Sequence, residues 1–324
     1  MFLTKRSLII RGFLRGIFLG ENRGLMLVLA TAIISGFSIF LNSFVVKDFN
    51  PFVFTTLKNA SVAVFLISAI LLLGEMKNLA KLTRMQWVKL AAVGLIGGSI
   101  PFLMFFYALK IASGATTAGF LQKTIFIWAA VFAVVFLREK ISRAFLAGAG
   151  LLLLGNFLLF SDLSAFGFPE MLVLVAAIMW AAEIVLAKHL LSDLYGRVVS
   201  FGRMFFGAGF MLLFLAGTGQ LQEIGTLGTE HWIWVAITGV LLFLYVFTFY
   251  SGLKYVDASK ATAVLLLGQP ITGMLSMVFS GRAIGFNEAI GFTLIIAGVM
   301  LIIGITYFAS LLKSKGVGLA AYRY

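Results

Sequence analysis

The sequence predicts an all-α polytopic membrane protein: ten transmembrane helices arranged as two inverted five-helix repeats. Three observations carry that expectation. The chain is very apolar, it contains ten apolar runs of membrane-crossing length, and its two halves resemble each other. Of 324 residues, 61% are apolar and 11% charged, with a mean hydropathy of +1.08. A soluble domain averages about 45–50% apolar and about 25% charged residues. So few charges cannot cover a water-exposed surface, which excludes a soluble enzyme, a disordered tail or a nucleic-acid module despite the net charge of +13. Cysteine is absent, which removes disulfides, thiolate nucleophiles and thiolate metal sites. The two histidines, His189 and His231, fall outside the apolar runs, so neither a metal centre nor a cofactor is expected. Four prolines fit long helices, and thirty-four glycines fit helices packed closely in lipid.

Residues 1–24 carry Lys5, Arg6, Arg11, Arg15 and Arg23 and form a basic N-terminal segment, either an amphipathic helix on anionic lipid or a frayed charged terminus. A membrane-crossing helix needs about 20 mainly apolar residues. Runs of that kind occur near 25–46, 51–73, 87–108, 114–137 and 144–161, then near 168–188, 198–217, 232–253, 259–280 and 286–309. This divides the chain into a segment 1–24, a first repeat 25–161, a second repeat 168–309 and a tail 310–324. With the N-terminus inside, Lys47, Lys110 and Arg282 fall on the outer side and Lys58, Lys123 and Arg203 within spans. All the other lysines and arginines lie on the inner side. That bias places both termini in the cytoplasm, with the plasma (inner) membrane as the expected location. It also accounts for the positive charge without nucleic acid.

The halves match at offsets of 143 to 145 residues. Met26-Leu27-Val28-Leu29 recurs as Met171-Leu172-Val173-Leu174, Val53 and Lys58 as Val198 and Arg203, Leu109-Lys110 as Leu253-Lys254, and Gly148 and Gly155 as Gly291 and Gly298. Five is odd, so the second copy enters the membrane from the opposite side. Two such units supply two near-equivalent packings, one open to each side, around a site near the midplane.

Ala108-Leu109-Lys110 through Leu137-Arg138-Glu139-Lys140-Ile141, and Gly252-Leu253-Lys254 through Gly268-Gln269-Pro270, resemble the signature of the drug/metabolite transporter superfamily, specifically the ten-helix EamA-type permeases. Trp180 resembles the family's first-helix tryptophan, and Lys58 and Arg203 its basic residue in the second helix of each repeat. The likeness spans roughly residues 25–309. It departs at Phe126 in place of a proline, at Ser35 in place of the tryptophan, and at Gly281-Arg282-Ala283 in place of the acidic motif.

Charged groups inside spans cost roughly 2.5–3.5 kcal/mol each on insertion scales and usually face a bundle interior. Lys58, Lys123, Glu183 and Arg203 are such groups. Gln122 adjoins Lys123, and Gln269, followed by Pro270, falls at a similar depth in the ninth span. Thr31, Ser35, Ser38 and Asn42 share one helix face, and so do Thr262, Gln269, Thr272 and Ser276. Tyr107 and Tyr250 are further candidates. For Thr31 and Ser276 a bond to their own helix backbone or to a neighbouring helix is the favoured reading. The expected substrate site is therefore Lys123, Gln122, Gln269, Lys58, Arg203, Glu183, Trp180, Ser38 and Asn42. Three cations against one carboxylate suit a small anionic or zwitterionic metabolite, such as an amino acid, with its carboxylate on Lys123. The expected function is secondary transport by alternating access, with a small molecule and the bilayer as partners and no enzyme activity. A membrane-embedded enzyme acting on a lipid-linked substrate and a non-transporting sensor or assembly subunit are the alternatives. Glu183 as the only mid-span acid argues against the enzyme.

Overall fold

The computed structural model describes the backbone of residues 2–45, 49–111, 115–159 and 166–304, and side chains within 20–42, 49–111, 117–159 and 166–304. The tail 310–324, Lys47 and the small-residue loop at 112–114 lie outside the described residues, as do the side chains of Lys5, Arg6, Arg11 and Arg15. Fourteen α-helices make up the described chain. In the first half they are α1 (Phe2–Val45), α2 (Pro51–Leu72), the short α3 (Met76–Ala80), α4 (Arg84–Gly98), α5 (Ile100–Ile111), α6 (Ala115–Lys123), α7 (Ile125–Leu137) and α8 (Arg143–Leu159). The second half contains α9 (Phe168–Leu190), α10 (Gly196–Gly217), α11 (Thr229–Leu253), α12 (Ala258–Val264), α13 (Gly268–Ser280) and α14 (Phe286–Ile303). The basic N-terminal segment continues into the first span without a break in α1.

Among the described residues nine stretches are long and apolar enough to cross a membrane, and α8 is the tenth apolar helix at 17 residues. Three spans are broken: α4–α5 at Ser99, α6–α7 at Thr124, and α12–α13 at a 3-10 turn over Leu265–Leu267. The second and third breaks are repeat counterparts. Helix starts are set locally. Asn50 accepts the Phe52 amide at 3.0 Å ahead of Pro51, and Thr83 and Gln86 form a reciprocal capping box.

Helix packing gives the symmetry. α1 packs on α11 and on α12–α13, as α9 packs on α4–α5 and on α6–α7. α4 lies on α10 as α11 lies on α2, while α2 meets its counterpart α10 and α8 its counterpart α14. The last pair fixes the relative direction of the repeats. A Cβ on Gly148 would lie 2.7 Å from the Gly298 carbonyl, and one on Gly155 would lie 2.7 Å from the Gly291 carbonyl. Ascending positions in α8 thus meet descending positions in α14, so the two counterpart helices run antiparallel. The contacts also exchange with each other under the repeat match of 148 with 291 and 155 with 298. In lipid, where burial of apolar surface gives no drive between helices, such close glycine crossings supply the packing attraction. The repeats are inverted, as the odd span count predicts.

Candidate functional site

Between the repeats lies a cavity of about 660 Å³. Its walls include Ser35, Ser38 and Asn42 of α1, Lys58 of α2, Gln122 and Lys123 of α6, Trp180 and Glu183 of α9, Arg203 of α10, and Gln269 of α13. All nine residues expected at the site are therefore brought to one space, although they come from six helices. Lys123 is the last residue of α6, at the Thr124 break. Gln269 follows the 3-10 turn of the ninth span, and its side-chain amide donates to Asn156 Oδ1 at 3.1 Å. Asn156 in turn donates to the Phe120 carbonyl at 3.3 Å, so one buried amide of α8 ties the two broken spans together.

The cavity floor is a buried polar network. Glu183, 2% exposed, lies 3.6 Å from Arg203 Nε and accepts the Tyr250 hydroxyl at 2.5 Å. Arg203 Nη2 and Trp180 Nε1 both donate to the Gly97 carbonyl, at 2.9 and 3.1 Å. That carbonyl is available because Pro101, four residues on, has no N–H to give it. Gly97 is a functional residue that sequence reasoning misses, although Pro101 in the third span signals it. Asn59 was also missed. It is 1% exposed and donates to the Gly98 carbonyl at 2.9 Å.

Lys58 and Lys123 differ from Arg203. Lys58 has its ammonium 4.9 Å from the centre of the Phe54 ring. Among the described residues no carboxylate forms an ion pair with either lysine. The other acid lining the cavity, Glu288, accepts both of its bonds from Arg282 at 3.0 Å. Two cations thus face the cavity without an acidic partner among the described residues. Aromatic rings form much of the remaining wall. Trp180 meets Phe102 and Phe105 edge-on with centroids 5.1 and 5.8 Å apart, and Phe249 meets Tyr250 at 5.2 Å.

The polar stripes read from the sequence divide. Ser35, Ser38, Asn42, Thr262, Gln269 and Thr272 line the cavity. Thr31 is instead fully buried against α11, bonded to the Leu27 carbonyl and to Thr248, each at 2.8 Å. Ser276 donates to its own helix at the Thr272 carbonyl, and Tyr107 is exposed on the outside of the bundle, whereas Tyr250 reaches the site. Among the described residues no three His, Asp or Glu side chains converge as metal ligands.

The cavity reaches the end of the bundle where Arg282 is 58% exposed. The other end is closed by polar contacts between the repeats. Glu139 accepts the Ala258 and Ser259 amides at 2.6 and 3.2 Å and the Ser259 hydroxyl at 2.6 Å. Arg197 of the second repeat pairs with Glu75 of the first, while within the second repeat Lys254 donates to the Leu194 carbonyl at 3.0 Å. The counterpart of Glu139 at the open end is Arg282, which among the described residues bonds Glu288 of its own repeat.

The profile of the EamA-like transporter family matches residues 22–161 and 167–304. An uncharacterized transporter of Clostridium kluyveri is 27% identical over 261 residues, covering 74% of this chain and 80% of its own. A second from Archaeoglobus fulgidus is 26% identical over 288 residues, covering 86% and 96%. The riboflavin transporter ImpX of Fusobacterium nucleatum subsp. nucleatum is 26% identical over 207 residues, covering 58% and 67%. A solved crystal structure with 21% identity superposes with a TM-score of 0.69, over 86% of this chain and 95% of that one, and shares the fold.

Proposed function

The chain belongs to the EamA-like transporter family, and we propose that it is a secondary transporter of a small anionic or zwitterionic metabolite, such as an amino acid, working by alternating access. It is an integral multi-pass membrane protein, and its repeats correspond to residues 25–161 and 168–309. The observation that carries the substrate class is the pair of lysines, Lys58 and Lys123, that face the cavity without an acidic partner among the described residues. An ammonium in a low-dielectric cavity favours a ligand bringing the opposite charge. A substrate cation meets the wrong field: the arginines neutralise Glu183 and Glu288, and the lysines remain. With the basic loops and both termini in the cytoplasm, the closed end is the inner one and the cavity opens outward. Closure there, with release of the Glu139 clasp, exposes the same residues to the other side.

The aromatic walls favour a second reading of the cargo as flat and conjugated, in keeping with the riboflavin transporter among the relatives. Flux into proteoliposomes tests both. The panel contains aliphatic and aromatic amino acids, organic acids, riboflavin and quaternary ammonium compounds. Saturable uptake of an acid or zwitterion supports the proposal, riboflavin uptake supports the second reading, and uptake of the cations alone overturns both.

A further inference from the structure

Inverted symmetry makes each half of the cavity a template for the other. At an offset of 145 residues Arg203 corresponds to Lys58 and Glu183 to Ser38. Leu253 matches Leu109 at 144, which pairs Tyr250 with Phe106. All six residues line the cavity. In the second repeat the cation is answered from within the protein, by Glu183 at 3.6 Å, and the Tyr250 hydroxyl holds that carboxylate. In the first repeat the cation is kept and the acid is not. Ser38 stands at the acid position, with its hydroxyl oxygen accepting from Asn42 Nδ2 at 3.3 Å, and Phe106 cannot donate to anything placed there. Lys58 is left with the face of Phe54.

We propose that the acidic group of the transported molecule supplies the missing counter-ion, docking between Lys58 and Ser38 in the place that the Glu183 carboxylate holds against Arg203. This rests on the cavity being the transport site, and it adds to Lys123 a second, symmetry-defined anion position. The chemistry fits a carboxylate, whose two oxygens accept from the lysine ammonium and from the Ser38 hydroxyl together. The residue types fit as well. Arg203, with its planar fork bonded to the Gly97 carbonyl, suits a fixed counter-ion inside the protein, whereas Lys58 is a point charge on a flexible stem that can accept and release a visiting anion.

The test compares Ser38→Glu with the uncharged Ser38→Gln of nearly equal size, and adds Lys58→Gln. Binding is read by thermal shift, and flux in proteoliposomes, with the carboxylates and amino acids of the panel above. Ser38→Glu builds the counter-ion into the protein, so it is expected to weaken carboxylate binding at least tenfold more than Ser38→Gln, with a melting temperature no lower than the wild type's. Lys58→Gln is expected to weaken binding at least tenfold without altering the ability to fold. Equal losses in the two Ser38 variants, or full affinity in Lys58→Gln, would overturn the subsite while leaving transport intact. A wild-type protein with no saturable flux of any carboxylate or zwitterion overturns the transport reading and the subsite with it.

Discussion

Adding one methyl group at Gly97 probes the network beneath the cavity. A Cβ there would lie 2.7 Å from Glu183 Cδ and 3.0 Å from its Oε2, and closer still to Cγ. Those atoms cannot simply swing away, because Glu183 is held by Tyr250 and Arg203. Nor can α4 retreat, since it is bound to α10 by the Gly98–Gly207 contact, where an added Cβ would lie 2.9 Å from backbone. Overpacking of this kind costs about 1–3 kcal/mol. Displacing the Gly97 carbonyl also weakens one hydrogen bond from a charged donor and one from a neutral donor, worth about 1.5–3 and about 1 kcal/mol. Gly97→Ala is therefore expected to destabilise the protein by about 3–5 kcal/mol, a fall of roughly 5–15 °C in melting temperature. Gly150→Ala is the control. It lies within α8 and nothing approaches its added Cβ within 4 Å, so the change gains up to about 1 kcal/mol of helix propensity. Thermal melts of the two purified variants in one detergent decide the matter. If Gly97→Ala melts with Gly150→Ala, the tightly held Glu183–Arg203–Gly97 network is wrong.

Three further perturbations follow from the same contacts. Lys123→Ala removes a charged hydrogen-bond donor worth about 1.5–3 kcal/mol, so KM for the acidic substrate should rise at least tenfold in a flux assay; an unchanged KM would remove Lys123 from the site. Glu183→Gln leaves Arg203 buried without a counter-ion, at a cost of about 3–5 kcal/mol. A lowered melting temperature is expected, and an unchanged one would show that Glu183 does not neutralise Arg203. Glu139→Gln keeps the size of the clasp on α12 but removes its charge, weakening closure by about 1.5–3 kcal/mol. A thiol placed in the cavity should then react from the basic end at least tenfold faster, and an unaltered rate would show that Glu139 does not hold that end shut.

Much of the architecture was legible because lipid imposes it. Apolar runs of about 20 residues between charged breaks become helices, since in hydrocarbon only a helix satisfies the backbone within a single segment. The odd repeat forces inversion, which Gly148 and Gly155 display against Gly298 and Gly291. Polar groups such as Lys58, Lys123 and Glu183 were conspicuous because the spans around them are so apolar. Small residues were less readable. Thr31 and Ser35 share a helix face, yet one bonds a neighbouring helix and the other lines the cavity, a difference set by tilt and packing that spacing alone does not encode. The break at Thr124 was equally hidden, as threonine does not end a helix by itself, whereas Pro101 marks the one at Ser99. Asn156 is a single polar residue among leucines in the sequence, and its role appears only once α6 and α13 are seen beside it.

Alternating access requires that Gln122, Lys123 and their neighbours line a passage reached in turn from the two sides of the membrane. The chain contains no cysteine, so Gln122→Cys introduces a single reporter at the cavity wall. Its reaction with a membrane-impermeant thiol reagent can be followed in vesicles of either orientation. Rapid labelling is expected from the face opposite the basic loops, with labelling from the basic face appearing when transported substrate is added. Protection from both faces, or equal unrestricted labelling from both as in an open pore, would contradict it.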